Sequence, residues 1–242
     1  MTALPLLYAL PSGGGSAALF RGWDAELAGQ AEVVTPELPG RGARIAERPP
    51  GTFEEYVADL HHRHTPPAGT RWAVTGHSFG ALLAAAWAAR AYAEGRGPGL
   101  VVLSAAAPPW LHSTARVLLE GPDDGLWSRI EALGGLPEPV FATQAARRLL
   151  GRALHADIRA AADYRPAGPE PVGCPVLAVQ GADDPLVTAE LGGGWAALSD
   201  RGFGLEVLPG GHFYRQGLAD LLPVLRRALS GSFAPDAVLS AG

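Results

Sequence analysis

A serine, an acid and a histidine stand in this chain where acyl-transfer chemistry would need them. Ser78 sits in Gly76-His77-Ser78-Phe79-Gly80, directly after an apolar run at 72–75 and directly before an alanine-rich stretch that opens at Ala81. A G-x-S-x-G turn between strand and helix holds its serine in a strained conformation with the hydroxyl clear of the backbone, and the two glycines let strand and helix approach closely. Serine becomes nucleophilic beside a base, and the base needs an acidic partner that sets its tautomer and stabilises the imidazolium. Asp184 lies in Gly181-Ala182-Asp183-Asp184-Pro185 just after an apolar run at 176–180, and His212 lies in Gly210-Gly211-His212-Phe213 just after another at 205–208. Asp183 competes for the acid role, with a modest preference for Asp184 because it precedes Pro185.

Acyl transfer also needs donors for the oxyanion of the tetrahedral intermediate, usually two backbone N–H groups. The amide of Phe79, next to the nucleophile, is one candidate. The other is in the loop Pro11-Ser12-Gly13-Gly14-Gly15-Ser16, whose amides carry no bulky side chains, with Gly13 the best placed. That loop lacks the G-x-G-x-x-G spacing of a dinucleotide cradle. His61, His62 and His64 precede Pro66-Pro67 and read as a solvated helix end rather than metal ligands. His77, inside the turn, reads as a packing or backbone-contact residue.

These residues need a scaffold that brings positions far apart in sequence to one edge. Apolar runs at 4–10, 32–35, 72–75, 100–104, 176–180 and 205–208 have the length and composition of buried strands. Between them lie helical patterns at 17–29, at 53–64 and from Ala81, and a last one follows at about 215–230. Strands alternating with helices imply right-handed crossovers and a mainly parallel sheet covered on both faces. In such a sheet Ser78, Asp184 and His212 all fall at carboxyl ends of strands, the edge where ligands bind. The chain order Ser, Asp, His is that of an α/β-hydrolase, and this is the fold class expected.

The interval 105–171 breaks the alternation, with helical patches at 126–133, 143–154 and 156–164 and no convincing strand. It reads as a helical lid inserted into one domain spanning 1–242, since so few short helices could hardly bury a core of their own. After Gly231 the patterning weakens and the tail reads as fraying.

The chain has 242 residues, 48% hydrophobic and 18% charged, enough apolar material for one sizeable core. Its net charge of −5, with no basic block, argues against nucleic-acid binding. The single cysteine, Cys174, excludes an intrachain disulfide framework and a multi-thiolate zinc site. The first ten residues lack the basic segment of a secretion signal, and the apolar stretch 81–93 is interrupted by Arg90 and too short to span a bilayer. A cytoplasmic protein free of membrane is expected.

Taken together, the motifs resemble the type II (external, editing) thioesterases that accompany polyketide and nonribosomal peptide synthases. The resemblance runs over nearly the whole chain: Pro11 to Ala17, Phe20-Arg21-Gly22-Trp23, Leu38-Pro39-Gly40-Arg41-Gly42, Leu133-Gly134-Gly135-Leu136-Pro137, Ala156-Asp157-Ile158-Arg159, and the segments around Ser78, Asp184 and His212. It implies an α/β-hydrolase with Ser78, Asp184 and His212 as triad, settling Asp184 over Asp183, and an oxyanion hole from the backbone of Gly13 and Phe79. It also implies hydrolysis of acyl groups from the phosphopantetheine arm of an acyl or peptidyl carrier protein, with small acyl thioesters as surrogates, no cofactor, no metal and a monomeric enzyme. The sequence departs from the family at Ser12-Gly13, where His-Ala is usual, and at 105–109, which lacks an arginine common at the lid entrance. Trp110, Trp127, Leu133, Phe141 and Leu154 are candidates for an acyl chamber, and Arg147, Arg148 and Arg152 for docking an acidic carrier. An acyltransferase or cyclising release enzyme could use the same acyl-serine, and a general carboxylesterase shares the triad.

Overall fold

The computed structural model describes residues 3–120, 125–134 and 144–233, with the backbone alone over 144–149. Phe141, the side chains of Arg147 and Arg148, the motif residues 135–137 and the tail from 234 onward therefore lie outside the described residues.

Six strands form one sheet: β1 (Leu6–Leu10), β2 (Glu32–Val34), β3 (Trp72–His77), β4 (Leu100–Ser104), β5 (Val176–Gly181) and β6 (Phe203–Leu208). Their spatial order is β2-β1-β3-β4-β5-β6, and every pairing is parallel. Alternate residues of the central strands feed two separate cores, as the two-residue period of a strand requires. On one face Tyr8, Leu10, Trp72, Val74, Val101 and Leu103 pack together; on the other Leu7, Ala9, Ala73, Leu100 and Val102 do. The doubly covered α/β sheet expected from the sequence is thus present.

The helices are α1 (Trp23–Glu26), α2 (Phe53–His64), α3 (Phe79–Ala93), α4 (Thr114–Leu119), α5 (Leu126–Ala132), α6 (Gln144–Asp163), α7 (Ala189–Gly193) and α8 (Leu222–Phe233). Helix α2 starts where its capping chemistry lies: the Thr52 hydroxyl accepts from the Glu55 amide at 3.3 Å, and the Glu55 carboxylate accepts from the Gly51 amide at 2.6 Å. Helix α3 is apolar nearly all round, so it belongs in the core, packed between the sheet and α2.

Several expectations are corrected. The pattern at 17–29 is a 3-10 turn (Ala17–Phe20) followed by the short α1, because Gly22 at φ +85° breaks the helix. The patches 143–154 and 156–164 are one continuous helix, α6. The expected break falls at His155, an exposed position inside the helix, so it marks the outward face and not an end. The run 205–208 is not a buried strand: β6 is at the sheet edge, and Leu205 and Val207 are exposed. The last helix begins only at Leu222, after a 3-10 turn, with Pro223 in its first turn. It continues to Phe233, past the expected fraying point, where the Phe233 carbonyl accepts from the Arg71 guanidinium at 2.6 Å.

Leu83, fully buried on α3, reports on how far the core depends on this helix. Leu83→Ala is expected to lower unfolding free energy by about 2–5 kcal/mol in urea titrations, the range for truncating a well-packed leucine.

Candidate active site

Ser78 caps α3 with φ +55° and ψ −115°, a backbone conformation rare for any residue with a side chain. Its amide donates to the Ser104 carbonyl at 2.8 Å, which ties the turn to the end of β4. The close crossing allows no side chain at either glycine. A Cβ on Gly76 would stand 2.0 Å from the Gly80 carbonyl oxygen, and one on Gly80 would stand 2.3 Å from that of Leu10. The helix therefore begins directly on the carboxyl ends of β1 and β3.

The loops after β5 and β6 deliver the other two groups to the same edge. His212 Nδ1 lies 2.8 Å from Asp184 Oδ2, and its Nε2 lies 3.0 Å from Ser78 Oγ. A carboxylate only accepts, so Nδ1 carries the proton; the neutral ring then presents the Nε2 lone pair to the serine hydroxyl. Asp184 is oriented in turn by the amides of Leu186 at 2.8 Å and Val187 at 3.3 Å, both donating to Oδ1. The Asp184 and His212 side chains are buried, whereas Asp183 is exposed and its carboxylate has no partner among the described residues. The structure therefore brings together the three residues expected from spacing, and of the two adjacent aspartates it is Asp184 that faces the histidine.

Gly13 lies against the turn as well: a Cβ built on it would be 3.8 Å from Cβ of Phe79 and 3.3 Å from Ile158 Cδ1. Among the described residues neither the Gly13 nor the Phe79 amide donates a hydrogen bond, leaving both available to a developing negative charge. Leu154 and Ile158 of α6 cover the 13–14 backbone. Trp110 is half-buried and meets Trp195 edge-on at 5.4 Å, and Trp127 packs against the Gly151 turn of α6. Leu133 is half-buried against the main core.

His77 does more than pack. Its Nδ1 lies 2.8 Å from Ser104 Oγ, which lies 2.5 Å from the Tyr214 hydroxyl, and that hydroxyl donates to the Val179 carbonyl at 3.1 Å. With Tyr214 donating to Val179, Ser104 donates to Tyr214 and His77 Nδ1–H donates to Ser104. This chain anchors Tyr214, at φ +61° two residues after His212, to the strand ends. It leaves the His77 Nε2 lone pair buried and without a partner among the described residues, its ring 5.3 Å from that of His212.

His61 is corrected: it is buried rather than solvated, with Nε2 near Glu94 at 3.0 Å and Nδ1 near the Thr65 hydroxyl at 3.1 Å. Among the described residues no three His, Cys, Asp or Glu side chains gather as a metal site would need. Burial pushes the Cys174 thiol up to about 12, so it is no competing nucleophile at neutral pH. Among the described residues no helix is long and apolar enough to cross a membrane.

The sequence alone passed over Arg41, Tyr56, Ser104, Asp157 and Tyr214, all polar groups behind the reacting residues. The only signal for two of them was membership of the motifs at 38–42 and 156–159, and spacing assigns no role to either.

Comparison with known proteins gives concordant results. A family model described as "Thioesterase domain" matches residues 5–228. The chain is 32% identical over 231 residues to the "Probable cadicidin biosynthesis thioesterase" of Streptomyces griseus, covering 95% of this chain and 63% of that protein. It is 34% identical over 214 residues to the "AMB antimetabolite synthetase AmbE" of Pseudomonas aeruginosa, covering 85% of this chain and 10% of that protein. The chain thus spans less than two thirds of either relative's length. Among solved structures it is similar to the type II thioesterase BorB from the borrelidin biosynthetic cluster, with 30% identity, a TM-score of 0.81, and coverage of 95% of this chain and 94% of that one.

Burial, and secondarily the neighbouring His212, hold the His77 imidazole well below its usual 6.5. The unfolded chain takes up this proton below pH 6.5 while the folded chain resists it, so acid favours unfolding by up to about 1.4 kcal/mol per pH unit for this group. His77→Asn keeps an N–H donor for Ser104 and removes the titration. The melting midpoint is expected to fall less steeply between pH 6.5 and 5 in His77→Asn than in the wild type, and parallel profiles would contradict this assignment.

Proposed function

The chain belongs to the thioesterase domain family, and from that membership we propose that it hydrolyses acyl thioesters borne on the phosphopantetheine arm of acyl or peptidyl carrier proteins, as an editing enzyme of polyketide or nonribosomal peptide assembly. The observation that carries this reading is the unbroken hydrogen-bonded line Ser78–His212–Asp184 beside two amides that donate to nothing among the described residues. In this reading Ser78 Oγ attacks the thioester carbonyl as His212 Nε2 takes its proton. The oxyanion is held by the Gly13 and Phe79 amides, and Asp184 stabilises the imidazolium. The intermediate collapses with departure of the pantetheine sulfur, protonated by His212. Water, activated by the same imidazole, then frees the acid. Every step uses groups that this chain supplies.

We read 1–242 as one hydrolase domain in which the interval 105–171, with α4 to α6, forms a lid. Its half-buried Trp110 and Trp127 suit an apolar acyl group better than a charged one. The outer side of α6 suits the carrier. Exposed Arg152 and Arg159, with Arg48 across a groove of about 340 Å³, have no side-chain partner among the described residues. In a chain of net charge −5 these are local cations free for an acidic partner. Of the three arginines expected to dock a carrier, Arg152 alone has a described side chain, and it takes part in this groove.

Ser78→Ala and His212→Ala are each expected to reduce hydrolysis of a small acyl thioester by about 10³-fold or more, Ser78→Ala without lowering the melting midpoint appreciably. Free acid is the expected product; an ester or ring as the main product would replace the hydrolytic reading with transacylation. Reversing the groove charges in Arg48→Glu/Arg152→Glu/Arg159→Glu is expected to raise KM about tenfold for an acyl group on a carrier protein, with KM for the same acyl group on a small thiol unchanged. Equal changes for both substrates would remove the groove from the docking surface.

A further inference from the structure

Behind the candidate oxyanion loop lies a buried ion pair that takes no direct part in the chemistry above. Asp157 on α6 and Arg41 in the 38–42 loop are 0% and 1% exposed, yet both are charged groups in the core. Their geometry is bidentate: Arg41 Nη1 donates to Asp157 Oδ2 at 2.6 Å, and Nη2 to Oδ1 at 2.7 Å. The Tyr56 hydroxyl, from α2, donates to Oδ1 at 2.5 Å. The fourth contact is the informative one, the amide of Gly14 donating to Oδ2 at 2.8 Å. The four acceptor positions of the carboxylate are thereby filled. Arg41 is fixed as well, with Nη1 directed to the Gly15 carbonyl at 3.3 Å, and Nε and Nη2 to that of Pro39 at 3.4 Å. Burial works against its charge, but the adjacent carboxylate more than offsets this, and the guanidinium stays protonated.

Gly14, at φ +72°, directly follows Gly13 in the chain. Whatever fixes the Gly14 amide fixes the peptide plane joining the two residues and restricts the orientation of the Gly13 amide beside Phe79. A Gly-rich loop has the greatest conformational freedom of any backbone, and three consecutive glycines would not by themselves hold a donor in place. We infer that Asp157 is a positioning residue for acyl transfer: oriented by Arg41 and Tyr56, its carboxylate grips the Gly14 amide and so holds the Gly13 amide ready for the oxyanion. This rests on the oxyanion role proposed for Gly13.

The test uses the double variant Arg41→Met/Asp157→Leu. Replacing both members of a buried ion pair with apolar groups of similar size commonly preserves or raises stability, whereas removing one strands the other's charge. Three quantities are compared with the wild type: the melting midpoint, amide hydrogen exchange of the 11–16 segment, and kcat and KM for a small acyl thioester. The clamp predicts a melting midpoint at or above the wild type, faster exchange at Gly13 and Gly14, kcat lowered about 10- to 100-fold, and KM within about twofold. A boronic acid that forms a tetrahedral adduct on Ser78 should lose affinity by a similar factor, because the loss falls on the oxyanion. A merely structural role predicts the same retained stability but kcat and exchange like the wild type, and that result would overturn the proposal. Should the double variant not fold, Tyr56→Phe removes one support of Asp157 without stranding a charge. It should lower kcat about threefold or more at constant KM, and wild-type kcat and exchange in that variant would equally overturn the clamp. Failure of the enzymatic reading shows separately, as a wild-type protein that hydrolyses no thioester; the exchange measurement still decides whether Asp157 orders the loop.

Discussion

Everything in the structure is arranged around one steric constraint: helix α3 starts on top of the ends of β1 and β3 with no room for a side chain at the crossing. The missing Cβ atoms of Gly76 and Gly80 permit this contact, and the contact forces Ser78 into a positive-φ turn. Such a turn costs about 1–3 kcal/mol and persists only where the surroundings over-determine it. The surroundings here are a helix buried on nearly every side, with Leu83 and Trp87 fully inaccessible, seated on the central strands. Hydrophobic burial of α3 thus offsets the strain that exposes the serine hydroxyl. The parallel sheet then places the loops bearing Asp184 and His212 at the same edge without further distortion.

Local strain alone would leave the neighbouring loops free to wander, and the structure restrains them with buried polar groups. The His212 loop is anchored through Tyr214 to Ser104 and His77, and the Gly13 loop through Gly14 to Asp157. Each device has a cost. A buried pair such as Arg41–Asp157 adds little net stability over an apolar replacement, yet loses about 3–5 kcal/mol if one partner is removed. Polar groups in such positions are explained better by the geometry they impose than by the stability they contribute. Both networks end within two residues of a group placed at the reacting centre.

The legible part of the molecule was the part written in local pattern. Strand runs bounded by glycine, the G-x-S-x-G turn and the acid and histidine loops could be read because each is a short segment whose chemistry depends on its immediate neighbours. Helix α2 was legible to the residue because Thr52 and Glu55 cap it and Pro66-Pro67 ends it. The failures share a cause. The 156–164 patch conceals the role of Asp157, because a buried charge resembles a solvated one until its partner, 116 positions away, is known. His61 was misread for the same reason, since Glu94 comes 33 positions later. Edge exposure of β6 follows from sheet order, which a single strand does not encode.

Helix α6 shows why the proposed lid interval is better regarded as part of the candidate active site than as a cover over it. Arg152 and Arg159 are seven positions apart, close to two full turns, and so share one face. That face is exposed, whereas Leu154, Asp157 and Ile158 are buried. One rigid element therefore has, on its outside, cations without a side-chain partner among the described residues, and on its inside the grip on the Gly14 amide. A helix with 20 residues of continuous hydrogen bonding cannot shift one face without the other. A rigid displacement of α6 must therefore strain a bidentate, fully buried ion pair, which couples the position of the helix to the Gly14 amide that the pair holds.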